Sequence, residues 1–143
     1  MNEPKLTIEL IPKTCWHVNL RSKLPAKKWD TIRHASYAAA GYRCEICDGV
    51  GPTHPVECHE RWEYDEDKCV QRLVGFISLC PLCHLAKHIG FAEIKGRLEE
   101  VIAHMMKVNG WSRKQYEDHR REAFEVWYQR SQHHWTLDTS WLV

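Results

Sequence analysis

Cys44 and Cys47, in "YRCEICDG", and Cys80 and Cys83, in "LCPLCHLAKHIG", form two pairs with x2 spacing. A pair at this spacing turns tightly enough to bring two thiolates to one ion. Two such pairs complete the tetrahedral shell that zinc takes in structural sites. Gly49 stands just behind the first pair, where a knuckle turn needs a permissive backbone. Four thiolates close the shell, so the expected zinc is structural, with no position open to a substrate. Cys15, Cys58 and Cys69 fall outside the pattern and read as buried thiols.

Such a zinc leaves the histidines unused. His84 and His88 are four residues apart in a helical stretch, one turn apart on one face, and are suited to hold a second divalent metal. Between the cysteine pairs, "VECHERW" places His59 on a strand with Glu57 and Glu60 close by. Adjacent strand residues point to opposite faces, so spacing alone does not choose between the two carboxylates as a further oxygen ligand.

These side chains need elements to hold them. "LTIEL", Leu6 to Leu10, alternates like a short strand and ends at Pro12. A helix is expected from about Pro25 to Ala40 with Gly41 as its stop; Trp29, Ile32 and Tyr37 fall on its core face. "PVECHERW" and "QRLVGFISL" read as two strands, and "PLCHLAKHI" as a short helix stopped at Gly90. A further helix is expected over 92–110. Another follows over 112–132, opened by Ser112 and Gln115 in capping-box spacing. The apolar tail from Trp135 should pack back on the body.

A CxxC pair, a strand histidine, a second strand and a CxxCH opening a helix together resemble the HNH endonucleases with their ββα-metal fold. The similarity covers residues 42–88, "YRCEICDGVG…VECHERW…LVGFISLCPLCHLAKH". The flanks "IELIPKTCWHVNLRSKL" and "FEVWYQRSQHHWTLD" are similar to those of uncharacterised bacterial and phage HNH-type proteins. The resemblance implies a metal-dependent endonuclease hydrolysing nucleic-acid phosphodiesters, with double-stranded DNA as the expected partner. It implies His59 as the general base, and His84 and His88 as ligands of Mg2+, Mn2+, Ni2+ or zinc. Arg61, Arg72 and Lys87 are the expected phosphate contacts. Cys58 stands where the family often carries an acidic or histidine ligand. Gly75 stands near the usual asparagine, with Gln71 and Ser78 as the polar residues around it.

The expected architecture is therefore α+β, a single domain over 1–143. A zinc-stapled core at about 42–90 is flanked by an N-terminal strand and helix and by two C-terminal helices. A small zinc module buries little apolar area, so Trp16, Trp29, Trp111, Trp127, Trp135 and Trp141 are expected to anchor the flanks on it. The formal net charge of +1 hides an imbalance. Residues 1–43 carry eight Lys/Arg against three Asp/Glu, and residues 44–75 carry three against eight. The basic front suits phosphate or simply a solvated face. The acidic middle favours a second reading, a catalytically silent zinc module that binds a protein or nucleic-acid partner. No apolar run approaches the length of a membrane span, and residues 1–12 lack the layout of a secretory leader, so the expected location is the cytoplasm.

Overall fold

The computed structural model describes residues 3–15 and 20–142. Trp16, an expected anchor, lies outside them. The chain is mixed α+β, and its centre is an antiparallel hairpin of β1 (Glu57–Asp65) and β2 (Val70–Leu79). Glu57 pairs with Leu79 and Asp65 with Val70, and the register slips once, between Arg61 and Trp62. Opposite that slip sits Gly75 at φ +152, a conformation that side-chain-bearing residues rarely adopt. The backbone, not a missing ligand, accounts for glycine at this position. The hairpin turn is held by Asp65, whose carboxylate accepts from the Asp67 and Lys68 amides at 3.1 and 3.0 Å.

Helix α1 (Leu20–Lys23) leads into α2 (Ala26–Ala39), which buries Trp29 and carries the polypeptide to the first cysteine pair. Helix α3 (Pro81–Lys87) starts on Cys80, whose Sγ accepts from the Cys83 amide, with Pro81 at the first turn. It ends one residue before His88, which leaves helical geometry (φ −118, ψ 59), rather than at Gly90. The expected single helix over 92–110 is two helices, α4 (Ile89–Ile94) and α5 (Leu98–Asn109). The reason is a glycine cap: Gly96 sits at φ +69, its amide bonds to Glu93 O, and the Arg97 amide bonds to Ala92 O. Helix α6 (Arg113–Arg130) begins with the expected Ser112–Gln115 capping box.

The N-terminal segment does not form the expected strand. Leu6 and Ile8 do turn inward, at 0 % and 6 % exposure, as the alternation implies. Their backbone is satisfied by side chains of two helices instead of by a neighbouring strand. Asn109 accepts from the Lys5 and Leu6 amides at 2.8 and 3.0 Å and donates to Leu6 O at 2.8 Å. The Ile8 amide donates to His119 Nε2 at 3.0 Å. The third strand comes from the other end of the chain. Strand β3 (Thr136–Asp138) adds to β2 in parallel, Val70 facing Thr136.

One apolar core joins Leu6, Val56, Leu79, Ala86, Val101, Met105 and Tyr116, and it includes Cys44, Cys80 and Cys83. Trp135 is buried and Trp111 is packed against this core, while the Trp127 indole N–H donates to Ile11 O at 3.0 Å. Trp141 stays half exposed, edge-on to Phe76. Among the described residues, no helix is long and apolar enough to cross a membrane.

Candidate functional site

The knuckle spacing does what it implies. The Cys47 amide points at Cys44 Sγ at 3.5 Å, the Gly49 amide at Cys47 Sγ at 3.4 Å, and the Cys83 amide at Cys80 Sγ at 3.4 Å. Backbone N–H groups aimed at sulfur favour the thiolate. Gly51 lets the loop close on helix α3, since a Cβ there would lie 2.3 Å from His54 O and 2.7 Å from the Pro81 ring. The four sulfurs lie within 4.8 Å of one another. Cys47 Sγ and Cys80 Sγ are 3.6 Å apart, far beyond a disulfide bond and close to the roughly 3.8 Å between thiolates sharing one tetrahedral zinc. Bonding to Cys80 and then Cys83 lowers the Cys44 thiol far below its ordinary value, and Cys44 in turn pushes Cys80 up to about 12 and Cys83 higher still. All four can be ionised together only with a cation between them. The cluster is compatible with a structural zinc site.

Sequence spacing gave no hint of His104, on α5, whose Nε2 lies 3.2 Å from Cys83 Sγ. Burial lowers this imidazole from its ordinary value. It ties the cysteine knuckles to α5.

Beside the cysteines, His59 on β1 meets His84 on α3 and His88 at its end. One ring nitrogen from each lies within 4.8 Å of the other two. His84 Nε2 and His88 Nε2 are 3.2 Å apart. His59, expected as the general base, is only 3 % exposed and sits edge-on to both other rings. Its Nδ1 is buried without a hydrogen-bond partner. Loss of solvation, then the neighbouring His84 and His59, hold His88 down at about 4, although the residue opens partly to the surface.

Carboxylates stand behind the rings. Glu57, not Glu60, is the one that reaches the helix: its Oε1 lies 2.7 Å from His84 Nδ1 and its Oε2 2.7 Å from His54 Nε2. The bond to His84 outweighs burial and keeps the Glu57 carboxyl down at about 2. Glu60 is 3.9 Å from His59 Nδ1, too far for a hydrogen bond. The carboxylate that does reach His59 is Glu9, from the N-terminal segment, with Oε2 2.9 Å from His59 Nε2 and Oε1 3.0 Å from Lys87 Nζ. Burial acts to raise Glu9, but His59 and Lys87 prevail and hold it at about 2.

This places the expected phosphate contacts. Lys87 is 6 % exposed and committed to Glu9 and Thr7, so it supports the site rather than facing a ligand. Arg72 is held by Glu63 and Asp138. Arg61 is exposed and makes no ion pair among the described residues. Ser78 is buried and bonded to Ser36 at 2.8 Å, and Gln71 is buried at the far end of the hairpin, opposite Tyr64. The acidic hairpin is partly neutralised, Glu63 by Arg72 across the hairpin and Glu66 by Arg130 of α6.

His84 and His88 open onto a cleft of about 1090 Å³ between α2 and the α3–α4 corner. Trp29, Tyr37, Tyr42 and Phe91 give it aromatic walls, and Arg33 and Arg97 supply cations. Arg33 is paired with Asp30 in a half-buried pair, and Arg97 with Glu100 in an exposed pair that solvent screens. In comparison with known proteins, the chain matches no family model, no curated protein and no solved structure.

Proposed function

We propose that the protein is a metal-dependent endonuclease of the HNH type, hydrolysing phosphodiester bonds of nucleic acid, DNA first among them. The observation that carries this reading is the histidine trio, gathered from a hairpin and the helix after it, beside a thiol cluster that joins the loop ahead of the hairpin to the start of that helix.

The trio fits a divalent ion. The 3.2 Å between His84 Nε2 and His88 Nε2 is close to the roughly 3.3 Å separating two imidazole nitrogens on one tetrahedral zinc. The unpartnered buried nitrogen of His59 is a donor atom with nothing to bind. His59, His84 and His88 would hold such an ion, which would supply Lewis-acid charge to a phosphodiester. The chain's residues do the rest. Glu57 fixes the His84 ring by its Nδ1 and so presents Nε2 forward. The cleft admits the strand to the His84–His88 edge, with Arg33 and Arg97 for its phosphates and the aromatic walls for exposed bases. We assign His59 to holding the ion rather than to proton transfer, because a ring 3 % exposed has no access to water in the cleft.

The test is nicking of supercoiled plasmid and cleavage of RNA, with Mg2+, Mn2+, Ni2+ and Zn2+ in turn, beside calorimetric metal titration. His84→Ala and His59→Ala should each abolish cleavage and weaken binding of the second metal. His59→Ala with intact metal affinity would return His59 to the role of base. If wild type cuts neither nucleic acid and binds only the cysteine-held zinc, the nuclease reading is wrong. A silent binding module is then the better account. One observation favours it: Arg33, Arg97, Arg72 and Lys87 all have carboxylate partners already.

A further inference from the structure

We infer that Glu9 is a positioning residue of the histidine site: its carboxylate fixes the proton of His59 on Nε2 and leaves Nδ1 as the nitrogen that binds the metal. The inference rests on the metal reading of the trio and goes beyond it, because it brings a residue fifty positions upstream into the site.

Glu9 touches both halves of the site at once. Oε2 is 2.9 Å from His59 Nε2 on β1, and Oε1 is 3.0 Å from Lys87 Nζ on α3, between the two helix histidines in sequence. An ionised carboxylate only accepts, so the ring nitrogen facing it carries the hydrogen. In the neutral ring the lone pair then lies on Nδ1, the atom found buried and unpartnered. Glu9 is not among the mutually close donor atoms, which come from the three histidines. It orients a ligand and is not one.

The segment carrying Glu9 is built to hold it there. Lys87 reaches past the carboxylate to Thr7 Oγ1 at 2.9 Å, two residues earlier on the same side of the segment. The alternate residues Leu6 and Ile8 are clamped through their backbone by Asn109 of α5 and His119 of α6. Helices α5 and α6 thus set the position of Glu9, and through it the tautomer of His59. Loss of a carboxylate that orients a metal-binding histidine typically costs 10- to 100-fold in metal affinity.

The experiment uses the full chain loaded with its cysteine-bound zinc, in wild type, Glu9→Gln and Glu9→Ala. Nitrogen-15 NMR of the imidazoles, at a pH where His59 is neutral and before any second metal is added, reads the tautomer directly. Ni2+ titration then reads the site. Wild type and Glu9→Gln, whose amide oxygen still accepts, should hold the hydrogen on Nε2 and bind Ni2+ within a few fold of each other. Glu9→Ala should lose the tautomer preference and bind Ni2+ roughly 10- to 100-fold more weakly. An unchanged tautomer and unchanged affinity in Glu9→Ala would overturn the inference. So would a Glu9→Gln as weak as Glu9→Ala, which would make Glu9 a ligand requiring charge. If no variant binds Ni2+ but the tautomer is set by Glu9 and lost in Glu9→Ala, the positioning stands and the metal reading of the trio fails.

Discussion

Replacing Cys83 by serine should remove one of the four thiols that could hold a structural zinc. Cys83 is fully buried and packs in the cluster that contains Leu79, Ala86 and Met105. Structural zinc contributes about 10–16 kcal/mol of apparent binding free energy that is also folding free energy, or roughly 3 kcal/mol for each of four ligands. A serine hydroxyl left at 0 % exposure adds about 1–3 kcal/mol of unmet desolvation, and His104 loses its sulfur partner. The expected cost is about 4–6 kcal/mol, against a total stability of about 5–15 kcal/mol for a domain. The melting temperature should fall by on the order of 15 °C. The assay is thermal and urea unfolding of wild type and Cys83→Ser, each with and without a strong chelator, with metal content by mass spectrometry. Wild type should carry one zinc per chain and lose its cooperative transition on chelation, while Cys83→Ser should respond little. Cys69→Ser is the control, since Cys69 sits in the hairpin turn outside the thiol cluster and should keep the wild-type metal content. A metal-free wild type with an unchanged melting curve would refute the reasoning.

Acid should weaken the fold through the Glu57–His84 contact. Glu57 is held at about 2 in the folded protein against an ordinary 4.5, first by its bond to His84, so its contribution is complete above 4.5 and is lost as pH falls through 2. In wild type the urea midpoint should drop across that window, and in Glu57→Gln the drop should be shallower; parallel profiles would count against the pair. If Arg33 and Arg97 contact phosphate in the cleft, changing both to alanine should flatten the log–log salt dependence of nucleic-acid binding by about 0.7–0.9 per lost contact. An unchanged slope would move the binding surface elsewhere, to Arg61 or to the exposed lysines of α2.

What could be read from the sequence is what local geometry enforces. An x2 cysteine spacing closes a knuckle whatever surrounds it, and Ser112 with Gln115 caps a helix because the bonds span only three residues. The hairpin was legible because alternation from Glu57 and from Val70 repeats the period of a strand. Even the halves of the histidine site were visible, as a strand residue and a pair one turn apart.

The tertiary structure decided which groups complete those halves. Alternation turned Leu6 and Ile8 inward, but it could not say that Asn109 and His119 would take the place of a partner strand. That substitution carries Glu9 to His59 across fifty residues. The spacing of Glu57 and Glu60 around His59 was ambiguous by one residue, and the packing of α3 against the hairpin resolved it for Glu57. His104 joined the thiols for the same reason, because α5 packs on α3. Spacing fixes what a segment can present to a metal. Which distant carboxylate or imidazole stands behind it depends on where the helices cross, and that is set by burial of Val101, Met105 and Tyr116 in the shared core, which no local pattern encodes.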